Sequence, residues 1–244
     1  MSASSFHLDS YDVCHQGLVR KINEDSVIAI PPQGLWAVAD GMGGHSKGDF
    51  ASQAITRKLS DLTIVRGLSL SSRLDQVENA LRQVNSQLLA ASREISADAV
   101  VGSTIVAMIT NDTSAGLIWA GDSRAYRLRG RILERLTTDH NVANELVEKQ
   151  GLPRAAAESA DDAEALTMAV GTEFFAPERR ETNLLRGDIF CLCSDGITKL
   201  ISDDEIADVL ASDKTAESLS HALLDQALGR GATDNISLII IKVS

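Results

Sequence analysis

Three apolar runs of the chain end in aspartate: Leu35-Trp-Ala-Val-Ala-Asp40, Leu117-Ile-Trp-Ala-Gly-Asp122 and Phe190-Cys-Leu-Cys-Ser-Asp195. A fourth acid, Asp234, stands just before the run Ile236–Lys242. Glycine follows Asp40 and Asp195 and precedes Asp122. Glycine tolerates positive φ and lets backbone approach a ligand closely. If the last run is a strand antiparallel to its neighbours, its start lies beside their ends, and all four carboxylates meet at one rim. Carboxylates crowded there repel one another and stay ionised only beside a cation. An all-oxygen set suits Mg²⁺ or Mn²⁺, and no Cys or His spacing points to zinc. Mg²⁺ takes only one or two carboxylates and keeps several waters, so few residues suffice for a two-metal site. Two such ions about 4 Å apart activate a bridging water for in-line attack on phosphorus. Asp-Gly after a strand is equally an ordinary turn, and spacing alone leaves both readings open.

Other residues suit a phosphate. Arg20 lies four positions before the pair Glu24-Asp25. A guanidinium binds phosphate with two prongs, and the carboxylates could hold metal-bound water or move protons. The same segment reads as a charged turn with a local ion pair. Asp40-Gly-Met-Gly-Gly44 has the composition of a phosphate-cradling loop, a weak signal by itself. His45 and His140 read as polar surface or capping residues and Lys47 as a solvated side chain. Ser103 follows a glycine but has no Gly-x-Ser-x-Gly elbow and no partner histidine, so it is not expected to be a nucleophile.

The elements that must position these residues are legible in outline. Strands are expected at Ser26–Ile30, Leu35–Ala39, Thr104–Thr110, Gly116–Ala120, Ala125–Leu128, Ile189–Cys193 and Ile236–Lys242. Several do not alternate cleanly, which predicts cover on both faces. Leu74, Val77, Leu81, Val84 and Leu88 form an amphipathic helical stripe, and Ala51, Ile55, Leu59 and Leu62 a second. Ser202-Asp-Asp-Glu205 is a capping box opening a third helix, and Thr215–Leu228 reads as a fourth. Pro31-Pro32 predicts a turn. Two helices after Asp40 and then a cluster of strands do not follow β-α-β alternation, so sheets with helices layered outside are expected. Asn141–Glu164 fits no element; its acidic, alanine-rich composition predicts a partly helical, mobile, protruding insertion.

The chain has 244 residues, 44% of them hydrophobic, and a formal net charge of −11. That is enough apolar material for a sizeable core and the wrong charge for a nucleic-acid or anionic-membrane partner. Cys14, Cys191 and Cys193 make no disulfide framework; the latter two should share one face of a strand as core residues. The opening MSASSFHLDS has neither a basic nor an apolar segment, so no signal peptide and a cytoplasmic location are expected.

Seven motifs then fall in one order: Gly17-Leu-Val-Arg20-Lys-Ile-Asn23-Glu24-Asp25, Val38-Ala-Asp40-Gly-Met-Gly-Gly44, Gly102-Ser-Thr104, Ala120-Gly-Asp122-Ser-Arg124, Leu136-Thr-Thr-Asp139-His140, Cys193-Ser-Asp195-Gly196 and Thr233-Asp234-Asn235. In this the chain resembles the PP2C-type (PPM) metal-dependent protein phosphatases, in their compact bacterial branch, from about Tyr11 to Val243. The resemblance implies an α+β fold, a central antiparallel β-sandwich flanked by helices on both sides, as one domain over residues 1–244 with a flap at about 141–164. It implies hydrolysis of phosphoserine and phosphothreonine in proteins with two Mn²⁺ or Mg²⁺ ions. Asp40 would bridge the metals, Asp195 and Asp234 would complete the first and the Gly41 carbonyl the second. Glu24 and Asp25 would hold metal-bound waters and Arg20 the phosphoryl group. A third, weaker ion would use Asp122 with Asp195.

Two departures bear on mechanism. Met42 follows the Asp-Gly, where animal members carry a histidine proposed as general acid, so the leaving-group proton would come from metal-bound water or Asp25. The flap lacks the His-Pro of many bacterial relatives, and Met168 stands where many have arginine. The partners implied are phosphorylated proteins and a bacterial Ser/Thr kinase whose work this monomer opposes; some relatives of this size serve a protein-secretion apparatus. A non-catalytic phosphoprotein-binding module and a phosphatase of small phosphoesters are the alternatives.

Overall fold

The computed structural model describes residues 6–43, 47–64, 67–96 and 99–244; Gly44 and His45 lie outside the described residues. In chain order the strands are β1 (Leu8–His15), β2 (Asp25–Ile30), β3 (Leu35–Gly43), β4 (Val101–Ser103), β5 (Ile105–Thr110), β6 (Ser114–Ala120), β7 (Arg124–Arg129), β8 (Ile132–Arg135), β9 (Glu178–Asn183), β10 (Ile189–Cys193) and β11 (Ile236–Val243). The helices are α1 (Gly48–Ser60), α2 (Leu70–Ile95), α3 (Val142–Gln150), α4 (Arg154–Glu158), α5 (Asp195–Thr198), α6 (Asp203–Leu210) and α7 (Ala216–Gly229). One sheet has the order β1-β11-β10-β7-β8 and the other β2-β3-β5-β6-β9, with β4 added beside β3. The strand pairs are antiparallel.

Strand parity decides which layer each side chain joins. In β3, Trp36 and Val38 face the second sheet and pack with Phe190, Leu192, Ile239 and Ile241. Leu35, Ala37 and Ala39 face outward, under Ile55 and Leu59 of α1 and Leu74, Leu81 and Leu88 of α2. In β10, Cys191 and Cys193 point the other way, toward Ile206 of α6 and Leu219 and Leu223 of α7. Both cysteines are fully buried core residues, as their spacing predicts. Four layers result, helices–sheet–sheet–helices, the α+β architecture that the resemblance implies.

The expected helices form. Ser202 caps α6 in a complete capping box, and Thr215 caps α7 through the Ser218 amide. Pro31–Gln33 is a single 3-10 turn closed by Gly34 at φ 66°. The sequence reading missed β1, β4, β8 and β9. Of these, β9 is six polar residues on a sheet edge. It is held by pairing with β6 and by Arg179, which reaches Asp75 and Glu78 of α2.

The segment 141–164 is helical in part, as α3 and α4. Ala143, Ala157 and Ala163 form its own small core with Leu146, Val147 and Leu152. Its ends are tied together where Val142 N donates to Ala165 O and Asn141 bridges to Leu166.

The return from this segment is fixed by α2. The buried Asn85 carboxamide oxygen accepts from the amides of Gly171 at 2.6 Å and Thr172 at 3.2 Å. Asn85→Leu leaves both amides unpaired, at about 1–3 kcal/mol. A chain of this size then melts roughly 2–4 °C lower per kcal/mol, a loss that thermal denaturation would detect. An unchanged melting temperature would show that the turn does not need Asn85.

Candidate metal centre

Each sheet brings two acids to the same rim. Asp40 lies within β3 and Asp122 follows β6, while Asp195 follows β10 and Asp234 precedes β11. The last strand does run antiparallel to β10, and Gly196 packs so closely on Asn235 that a Cβ there would sit 1.9 Å from its carbonyl oxygen. Asp40-Gly41 is not a turn: β3 continues through Gly43, with Gly41 opposite Ser103 and Met42 opposite Gly102. Asp122 is in a bend after Gly121, whose φ is 110°. Asp195 opens α5.

The backbone around Asp40 is locked from several sides. Its carbonyl accepts from Thr104 N at 2.8 Å and Ser103 Oγ at 2.9 Å, and its amide donates to Thr104 Oγ1 at 3.1 Å. Ser103 is thus a structural donor. Thr104 Oγ1 in turn lies 2.7 Å from Ser123 Oγ. A Cβ on Gly41 would meet Gly48 O at 2.0 Å and Glu24 O at 2.5 Å, so only glycine fits.

Glu24 and Asp25 are not a charged turn. Asp25 opens β2 directly opposite Asp40, is buried, and accepts from Ser194 Oγ at 2.9 Å. Glu24 Oε1 accepts from Gly48 N at 3.2 Å, at the start of α1. Asn235 ties this segment to β11: its Oδ1 accepts from Glu24 N at 2.8 Å, and its Nδ2 donates to Gln16 O and Ile22 O. Arg20 does not pair with its local acids; its Nη2 donates to Asp234 Oδ2 at 2.8 Å across the cleft.

Crowding of these carboxyls is expressed in their proton affinities. Burial, then Asp25, Asp195 and Asp122, hold Asp40 well above the usual carboxylate range. Burial pushes Asp25 up to about 6, with repulsion from Asp195 adding to it. Burial, then Asp195 and Asp139, push Asp122 up to about 7, while Lys199 pulls it back. Asp195 Oδ1 is buried with no hydrogen-bond partner.

Among the described residues no three acid, His or Cys side chains enclose a common point as they stand. Two acids of the rim are turned onto basic partners, Asp234 onto Arg20 and Asp195 onto Lys199. The raised proton affinities of Asp25, Asp40 and Asp122, each due first to burial and then in part to Asp195, and the orphaned Asp195 oxygen are the better guide. An all-oxygen rim of acids that raise one another fits a hard divalent cation.

Two cavities meet at this rim. One, of about 310 Å³, is lined by Arg20, Glu24, Asp40, Gly41, Met42 and Asp234 among others. The other, of about 630 Å³, lies against the 141–164 segment and is lined by Arg124, Arg135, Asp139, Asn144 and Arg154. Asp122, Glu164, Asp195 and Lys199 line both. Arg124 is held by Asp139 through Nε at 3.0 Å and Nη2 at 2.7 Å.

His140 is buried rather than a surface residue. Its Nδ1 accepts from Gly121 N at 3.1 Å and its ring stacks on Trp119, which fixes the bend before Asp122. Lys47 is exposed at the start of α1. Met42 packs against Gly102, and Met168 against the α1–α2 core. Sequence reasoning missed Lys199, whose position four residues after Asp195 was the available signal.

A family model described as Protein phosphatase 2C matches residues 20–230. The chain is 30% identical over 242 residues to a serine/threonine phosphatase, stp, of Listeria monocytogenes, covering 93% of this chain and 92% of that protein. It is 35% identical over 230 residues to the serine/threonine protein phosphatase PstP of Mycobacterium tuberculosis, but spans only 43% of that protein's length. Among solved structures it resembles PppA, described as a key regulatory component of T6SS in Pseudomonas aeruginosa, with a TM-score of 0.88 at 35% identity, covering 98% of this chain and 99% of that one. It also resembles the catalytic domain of PstP in complex with two manganese ions, with a TM-score of 0.84 at 33% identity and the same two coverages.

The tight seat of Gly41 makes a test of the local geometry. Gly41→Ala should lose at least about 1–3 kcal/mol of stability, because the obstructing atoms are backbone. Gly229→Ala, where a Cβ meets nothing within 4 Å, should be neutral or up to about 1 kcal/mol stabilising. Parallel thermal melts compare them, and equal midpoints would contradict the packing at Gly41.

Proposed function

The chain belongs to the protein phosphatase 2C family, and we propose that it hydrolyses phosphoserine and phosphothreonine in proteins with the help of two Mn²⁺ or Mg²⁺ ions. The observation that carries this reading is the meeting of Asp40, Asp195 and Asp234 from two sheets at one cleft, with Arg20 across its mouth. The names of the matching relatives support it, and so does the pair of manganese ions in the PstP structure.

In this reading Asp40, Asp195, Asp234 and the Gly41 carbonyl hold the ions. When bound, the ions supply an activated water and positive charge for cleavage of the phosphorus–oxygen bond. Arg20 spends one N–H on Asp234 Oδ2 and has further guanidinium donors for phosphoryl oxygens. Glu24, braced by the Gly48 amide, and Asp25, braced by Ser194, keep acceptors directed at the rim where water must be held. Asp25, directly opposite Asp40 in the sheet, is placed to hold and pass a proton beside the ions, which Met42 cannot do. The 141–164 segment stands beside the cleft as a flap that meets the protein part of the substrate, in a chain that works as one catalytic unit.

A phosphorylation cycle run against a bacterial Ser/Thr kinase is the setting this reading favours, and the likeness to PppA adds secretion control as one such setting. Among the described residues no helix is long and apolar enough to cross a membrane. A non-catalytic binding module has little support, because the three acids assigned to the metals are all present.

Turnover of a phosphothreonine peptide should be abolished by EDTA and restored by Mn²⁺ or Mg²⁺, with Zn²⁺ and Ca²⁺ substituting poorly. Full turnover in chelated, metal-free protein would sink the two-metal reading. Faster turnover of small phosphometabolites than of the peptide would move the substrate class.

Arg20→Ala should raise KM for the peptide with a smaller fall in kcat, since the guanidinium binds ground and transition states alike. An unchanged KM would leave Arg20 as a brace for Asp234.

A further inference from the structure

Lys199 occupies a place that neither its sequence context nor the function above explains. The main chain sets its distance from Asp195: Lys199 N donates to Asp195 O at 2.9 Å, which puts the two side chains on one face of a helical turn. Its Nζ lies 2.6 Å from Asp195 Oδ2 and 3.9 Å from Glu164 Oε2, at the base of the flap. Asp122 is the third acid of this wall between the two cavities and feels the same positive charge. The ammonium therefore pairs closely with Asp195, stands 3.9 Å from Glu164 of the flap and shares the wall between the cavities with Asp122.

We propose that Lys199 is a resident cation that takes the place of a third metal ion between Asp122, Asp195 and Glu164. This rests on the two-ion reading above and deepens it. Family resemblance implies a weak third ion held by Asp122 with Asp195, but an ammonium and a divalent cation cannot both occupy the outer face of Asp195 Oδ2. The ammonium is a compact charge with three donors on a flexible stem, so it compensates neighbouring acids without a fixed coordination shell. Mg²⁺ demands near-ideal octahedral geometry and keeps its waters, so a weak site of that kind is filled only when the free ion is abundant. With Lys199 covalently present, charge compensation on the flap side of the cleft does not vary with free metal. Only the two inner ions do.

The alternative is an ordinary exposed ion pair, worth about 0–1 kcal/mol and without effect on ion binding. Metal stoichiometry separates the two. Wild type, Lys199→Gln, Lys199→Met and Lys199→Arg, each as the full chain and checked for folding by circular dichroism, are titrated with Mn²⁺ by calorimetry, and bound metal is counted after equilibrium dialysis. Two ions are expected in wild type and in Lys199→Arg. Lys199→Gln and Lys199→Met should each bind a third, at least tenfold more weakly than the first two. Adding Asp122→Asn to Lys199→Gln should return the count to two. Three ions in wild type, or two in both neutral variants, would overturn the role of Lys199 while leaving the two-ion reading intact. Fewer than two in wild type would overturn the two-ion reading itself.

Discussion

Carboxylates brought together at a half-buried rim repel one another, and the rest of the structure is organised around that fact. Asp25, Asp40 and Asp122 are each pushed above the ordinary carboxylate range, first by burial and then by neighbouring acids. Left to themselves such groups would turn outward to water. They are kept in place because their backbone is not free to move. Asp25 and Asp40 are register partners in a sheet, Asp40 is clamped by Ser103 and Thr104, and Asn235 binds the Glu24 segment to the start of β11. The sandwich core supplies rigidity to this arrangement; cations must supply the compensating charge.

The cations come from more than one source. Arg20 lies on Asp234 at the mouth of the cleft and Lys199 on Asp195 at its flap side. Arg124 and Arg135 face Asp139 behind them. Asp40, at the centre and raised by burial and then by Asp25, Asp195 and Asp122, is the acid most in need of a metal. Substrate phosphate and divalent ions thus enter a charge network that is already partly balanced by the protein's own side chains.

Much of this was legible in the sequence, for identifiable reasons. Apolar runs ending in acid mark the rim because strand ends and functional groups coincide there. Helical stripes such as Leu74-Val77-Leu81 and the Ser202–Glu205 box depend on local spacing, and they formed as read. What failed depended on distant partners. No pattern within Glu178–Asn183 announces a strand, since β6 and α2 hold it in place. Spacing alone could not decide between turn and strand at Asp40-Gly41, because the β4 partner lies some sixty residues away. His140 looked like a surface residue because its partner, the Gly121 amide, is remote in sequence. The contact of Arg20 with Asp234 is likewise beyond local reading, since 214 positions separate them.

The acid rim is held together against its own repulsion, and metal would relieve it. Because Asp40 binds a proton more tightly folded than unfolded, its ionisation at neutral pH opposes folding. Asn at that position keeps the shape without the charge. The direct measurement is chemical denaturation of wild type and Asp40→Asn, each without metal and then with saturating Mn²⁺. Metal-free Asp40→Asn should be more stable than metal-free wild type. Mn²⁺ should stabilise wild type strongly, by the linkage of binding to folding, and Asp40→Asn little. A metal-free Asp40→Asn less stable than wild type, or one that gains as much from Mn²⁺, would contradict it.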